Sequence, residues 1–150
     1  MPTALREAAL AAIGDRLTAE LPAIVLERAR RAAVDTDVED LPRLVLTGTD
    51  WEADETAEPG STHYMLGFSV AGYVRAPSDL EAEQALSELH ASVVAALAGW
   101  TPDVDGLGEA SEQGAEFRLY DIDESAKPAG EFLARFSMLA IAPLGAPFIP

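Results

Sequence analysis

The sequence predicts an α+β domain, with a mainly antiparallel or mixed sheet of four to five strands and two principal helices packed on one face. Three observations predict it. Thr62 to Arg75 sets Tyr64, Leu66, Phe68, Val70 and Val74 against Met65, Gly67, Ser69, Ala71 and Tyr73, which is the two-residue period of a strand. Two other segments repeat apolar residues at steps of three and four, the period of a helix. The order of these pieces is helix, two strands, strand, helix and a final strand pair, which suits a sheet covered on one face.

In order along the chain, Thr3 to about Leu21 reads as the first helix, with Leu10, Ile13, Leu17 and Leu21 on one stripe and Thr3 placed to cap it. Pro22 follows. Ala23 to Ala33 is read as a strand on Ile24, Val25 and Leu26, although its second half also suits a helix. Asp35 to Asp40 is a polar connection, and Leu41 to Thr47 is a second strand with Pro42 near its start. Gly48 to Ser61 carries five carboxylates and Pro59-Gly60 around a single large apolar group, Trp51, and reads as a mobile acidic loop. After the clear strand, Ala76-Pro77 is a stop. Ser78 and Glu81 form a capping-box pair ahead of a helix from Asp79 to Ala98, whose stripe is Ala82, Leu86, Leu89, Val93, Ala96 and Leu97. Thr101 to Gly114 reads as another acidic loop. Ala115 to Ile122 and Glu131 to Ala142 read as a hairpin joined through Asp123 to Gly130. The last strand is apolar on both faces, so it is expected to lie centrally or to meet another subunit. Pro143 to Pro150 is an uncharged, proline-rich tail that either packs on its own domain or docks on a neighbour.

Composition narrows the function. The 150 residues, 49% of them apolar, fit one ordinary domain. Ten basic against 26 acidic residues leave a net charge of −16, the wrong sign for a protein whose affinity comes from neutralising phosphates. The longest uncharged stretch, Phe136 to Pro150, is short and broken by prolines, so no membrane span is expected. No secretory signal stands out, and with no cysteine there is no disulfide framework, thiolate metal site or cysteine nucleophile; an intracellular origin is expected.

Candidate chemistry is sparse. Asp121 and Asp123 end a strand and could serve a small magnesium-dependent phosphatase-like enzyme, but the sequence around them lacks the doubly wound continuation such enzymes need, and a hairpin turn is the simpler reading. His63 and His90 have no nucleophile elbow beside them. Asp50 to Glu58 lacks the glycine and terminal glutamate of a calcium loop, and Gly106-Leu107-Gly108 is too short for a phosphate cradle. No catalytic residue, metal site or cofactor is expected. Arg28, Arg30 and Arg31 form the one basic cluster, either solvated or facing a neighbour's carboxylates.

Taken together, the N-terminal helix, the Leu41-Pro42-Arg43-Leu44-Val45-Leu46 strand before an acidic loop, the Tyr64 to Arg75 strand, the Asp79 to Ala98 helix and the Phe132 to Ile141 strand followed by proline resemble a known family. The layout is similar to the tail-terminator, or tail-completion, proteins of long-tailed phages with non-contractile tails and of phage-like gene transfer agents. The resemblance spans nearly the whole chain and rests on element order rather than an invariant motif. It implies a structural subunit that assembles with itself as a ring, typically a hexamer, on the end of the tail tube. There it ends tube polymerisation and docks the head-tail connector, in a particle assembled in the host cytoplasm, with DNA only as passing cargo. On that footing the expected interface residues are Arg28, Arg30 and Arg31, Trp51 as an anchor on the tube, Phe132 and Phe136 of the two-faced strand, and Leu144, Phe148 and Ile149 of the tail. A monomeric acidic adaptor is the alternative outside enzymology.

Overall fold

Five strands pair into one mixed sheet in the computed structural model, which describes residues 2–32, 34–36, 39–54, 59–120 and 127–149. The elements are β1 (Thr3–Ala4), α1 (Leu5–Glu20), β2 (Val25–Arg28), β3 (Arg43–Asp54), β4 (Ser61–Arg75), α2 (Asp79–Leu97), β5 (Leu107–Tyr120), β6 (Ala129–Pro143) and β7 (Phe148–Ile149). The sheet order is β2-β3-β4-β6-β5, with β2 parallel to β3 and every other neighbour antiparallel. This is the α+β architecture that the alternation and helical spacing predict.

Both helices lie on one face. Strand alternation sends Leu44 and Leu46, Leu66, Phe68 and Val70, and Phe132, Phe136 and Met138 to that face, where they are at most 3% exposed. α1 lays Leu10, Ile13 and Leu17 over β2 and β3, and α2 lays Leu86, Leu89 and Val93 over β4, β6 and β5. The two phenylalanines Phe68 and Phe136 stack at 5.2 Å between adjacent strands. Gly72 is what lets the Phe132 ring lie flat across β4, since a Cβ there would overlap it. α2 begins as its capping box dictates: the Glu81 backbone N–H donates to Ser78 Oγ at 3.2 Å and the Ser78 hydroxyl donates to the Glu81 carboxylate at 3.0 Å.

Three expectations need correction. Thr3 does not cap α1; it sits in β1 and pairs with Ile149, while Ala4 precedes the helix with no side-chain cap. The acidic loop 48–61 is mostly strand, because β3 runs on to Asp54 after a bulge between Gly48 and Asp50. Asp50, Glu52 and Asp54 alternate with Trp51 and Ala53, so the carboxylates point to solvent while Trp51 faces the helix side. Trp51 is half-buried and stacks on Tyr64 at 4.5 Å, so it is a cross-strand packing residue rather than the anchor of a free loop. β4 then begins at Ser61. Likewise 101–114 is loop only as far as Gly106, and β5 begins at Leu107.

The two-faced strand β6 is central, between β4 and β5. Its tail turns back: β7 pairs with β1, the Leu5 backbone N–H donates to Pro147 O at 2.8 Å, and Ile149 packs on the core. Leu144 and Phe148 stay 71% and 52% exposed.

Candidate functional site

Among the described residues no helix lies over the second face of the sheet. One end of it is covered by the crossover between β2 and β3. Arg30 there donates to Glu27 at 3.0 Å and to Glu39 at 2.5 and 2.7 Å, and Thr36 is buried beside the Tyr120 phenol. Val34 of this strap and Val45 and Ala129 of the sheet are buried, and burial pushes the phenols of Tyr73 and Tyr120 up.

Beyond the strap, the face is open among the described residues. Met65, Leu133, Leu139 and Ile141 are each 38–43% exposed, and Met65 and Leu139 are cross-strand partners. Along β3 their border is Asp50, Glu52 and Asp54, and on the β5 side it is Glu116 and Arg135, whose groups stand 3.4 Å apart. Gly67, lacking a side chain, floors a recess of about 210 Å³ walled by Asp50, Glu52, Met65, Gln113 and Arg135. A broad, shallow surface of aliphatic groups beside carboxylates suits contact with a macromolecule.

The expected interface residues do not converge on that surface. Phe132 and Phe136 are 0% and 3% exposed, because β6 alternation turns them under the helices; they are core residues, out of reach of a partner. It is Leu133, Leu139 and Ile141 on the opposite side of the same strand that face outward. Arg28 is answered within the chain by Glu7 of α1 at 2.6 Å, and Arg30 by Glu27 and Glu39. Arg31 is exposed and has no ion pair among the described residues. Leu144 and Phe148 are exposed, Phe148 pairing with Ala4 at the N-terminal end of α1, the end where Glu7 also meets Arg28, and Ile149 is half-buried.

The histidines stay apart. His63 lies on the open face, in register with Asp54 and Ile141. His90 lies on α2 edge-on to Phe117 and Phe132, at 5.2 and 5.4 Å, with Nε2 3.4 Å from the Glu112 carboxylate. Gly106 is a turn residue at φ 90°, its carbonyl accepting the Ile141 N–H at 2.7 Å. Asp121 and Asp123 lie outside the described residues. Among those residues no group of three or more His, Cys, Asp or Glu is placed to hold a metal ion, and no helix is long and apolar enough to cross a membrane.

The pairings around β2 set an acid limit. Arg30, and then the Asp35 backbone N–H, hold the Glu39 carboxyl below its usual 4.5, and Arg28 does the same for Glu7. Carboxylates depressed in the folded state contribute stability that is complete above the unfolded value of 4.5 and is lost as pH falls through the lower folded values. The melting temperature is therefore expected to be level above this point and to drop below it, and the Glu7→Gln, Glu39→Gln double variant should show a shallower drop. Equal slopes for the two proteins in a thermal-melt series against pH would contradict this.

No family model matches the chain, and no curated protein matches it. A chain within a solved structure described as the virion of a native gene transfer agent particle superposes on it with a TM-score of 0.51 at 16% sequence identity, covering 91% of this chain and 95% of that chain. From end to end, the chain therefore shares its fold with a component of a gene transfer agent virion.

Proposed function

We propose that this chain is a structural subunit of a phage tail or phage-like particle, and within that class a tail terminator: a ring, hexameric by family resemblance, that caps the tail tube, stops its growth and presents a face to the head connector. The observation that carries the reading is the full-length fold match to a virion component, in which neither chain has a large unmatched part. The open sheet face supports it, offering Met65, Leu133, Leu139 and Ile141 and a carboxylate border instead of a cleft. So does the charge. A lumen walled by a subunit of net charge −16 repels DNA phosphates, so a genome slides past without sticking. The reading includes no catalytic step and no cofactor.

The same charge sets the conditions of the test. Copies of a −16 chain repel one another at low ionic strength, so moderate salt is expected to favour the ring, most of all on a tube end that holds the copies together. Purified subunit mixed with tail tubes should decorate one end of each tube with a ring in electron micrographs, and tubes grown in its presence should stop lengthening. A strict monomer in light scattering at high concentration and moderate salt that also leaves tube ends bare would overturn the proposal.

A further inference from the structure

Among the described residues the sheet has two unpaired edges, β2 and β5, and we infer that the β2 edge of one copy pairs antiparallel with the β5 edge of the next, joining neighbours through a continuous sheet. This rests on the ring reading and specifies the joint.

Direction comes first. β2 runs parallel to β3, and passing across β4 and β6 to β5 reverses the direction three times, so the two free edges run opposite ways. A neighbour related by rotation about an axis along the strands thus brings β5 against β2 as an antiparallel pair. This contact is head-to-tail and repeats until it closes.

The position also fits. Following the pairing row by row, Val25 aligns with Arg43, Tyr73, Glu131 and Arg118, and Arg28 with Leu46, Val70, Ala134 and Ala115. The short β2 therefore lies level with Ala115 to Arg118 on the far edge. That part of β5 differs from the rest of the strand. Between Leu107 and Gly114 two bulges and two glutamates break the edge, which is how exposed edges are ordinarily protected from pairing. From Ala115 to Tyr120 the register is unbroken, and Phe117 and Leu119 are 50% and 39% exposed. The unprotected stretch of one edge is the stretch that faces the other.

Charge agrees. Ala23 to Ala32 holds three arginines and one glutamate, net +2, while the facing part of β5, Glu112 to Tyr120, holds two glutamates and one arginine, net −1, in a chain that is strongly acidic overall. A shift of two residues from the level register, the smallest shift that keeps each strand's buried side on the helix face, sets Glu27 opposite the neighbour's Arg118 and Arg28 opposite its Phe117. The same offset carries the exposed Arg31, just past β2, toward the neighbour's Glu116 and Glu112.

The absence of cysteine makes the test direct. Within one copy the two edges are four strand spacings apart, about 19 Å, far beyond the roughly 7 Å limit for a disulfide, so any bond between them joins two copies. The full chain carrying Arg28→Cys and Phe117→Cys is oxidised at high concentration and moderate salt, free and on tail tubes, and run without reductant. The expected result is a ladder of species larger than dimer that collapses on reduction; neither single variant can exceed a dimer. A second pair, Val25→Cys with Arg118→Cys, reports the unshifted register and guards against local misfolding of the first. No ladder from either pair in folded protein overturns the edge joint, as does an equal yield of dimer from Phe117→Cys alone, which would mean that β5 pairs with itself. Rings that still form on tube ends with no ladder would sink this joint and leave the tail role standing.

Discussion

Phe132→Ala is expected to cost the isolated subunit about 3–5 kcal/mol, the range for emptying a fully buried phenylalanine site, and to lower its melting temperature by roughly 10 °C. Phe132 is 0% exposed, its ring lies over Gly72, and it contacts His90 and Phe117. Those contacts come from two strands and a helix, so the site cannot close on the gap without moving elements held by long hydrogen-bonded ladders. One position along, Leu133 faces the open side at 38% exposure, and Leu133→Ala should cost no more than about 1 kcal/mol. Urea unfolding of the two variants separates the cases. If Phe132 served mainly as an interface residue, as its place on a two-faced strand suggests from sequence, its loss would leave the monomer's midpoint unchanged and show only in assembly.

That contrast shows how far the residues could be read without coordinates. Period two in Thr62 to Arg75 and period 3.6 in Asp79 to Leu97 are local signals, and the structure follows both. Both faces of β6 are apolar in sequence, and pattern alone cannot say which face the helices take; that depends on where α1 and α2 return, a tertiary fact. In β3 the signal was present but outweighed. Asp50, Trp51, Glu52, Ala53 and Asp54 alternate perfectly, yet their density of carboxylates reads as solvated loop, because strand propensity disfavours Asp and Glu. Pairing with a long, regular β4 overrides that preference, and each carboxylate keeps its water on the open side. The β1–β7 pair was beyond reach for another reason: two residues at each terminus carry no periodicity to detect.

The candidate surface was legible only in kind. A surplus of apolar groups beside long acidic segments reads as an aliphatic surface bordered by carboxylates, and the open face is such a surface. Which residues form it follows from two three-dimensional facts, the side to which each strand turns and the strap between β2 and β3. The basic trio illustrates the gap. Sequence places Arg28, Arg30 and Arg31 close together, whereas in the fold Arg28 at the end of β2 meets Glu7 of α1, and past the turn at Ala29, φ 55°, Arg30 meets Glu27 and Glu39 while Arg31 is exposed.

Glu27→Ala is expected to be the most damaging change on the β2 edge, costing about 2–4 kcal/mol although it removes no apolar core group. Arg43 is the buried cation of the fold: its side chain is 10% exposed, donates to the Glu27 carboxylate, and otherwise reaches the Asp40 carbonyl at 3.2 Å. Taking away Glu27 strands that charge in a poorly hydrated place and also removes one carboxylate from Arg30. Because Glu27 is itself 31% exposed, water enters to answer part of the loss, so the cost should fall at the lower end of what breaking a fully buried pair gives. The damage should be local. β2 has only four residues and one strand neighbour, so amides of 25–28 should lose protection in hydrogen exchange before those of β4 and β6 do. Joining Glu27→Leu to Arg43→Met should recover most of the stability, since two apolar groups leave no unpaired charge behind. A double variant no more stable than Glu27→Ala would show that the edge is held by something other than this pair.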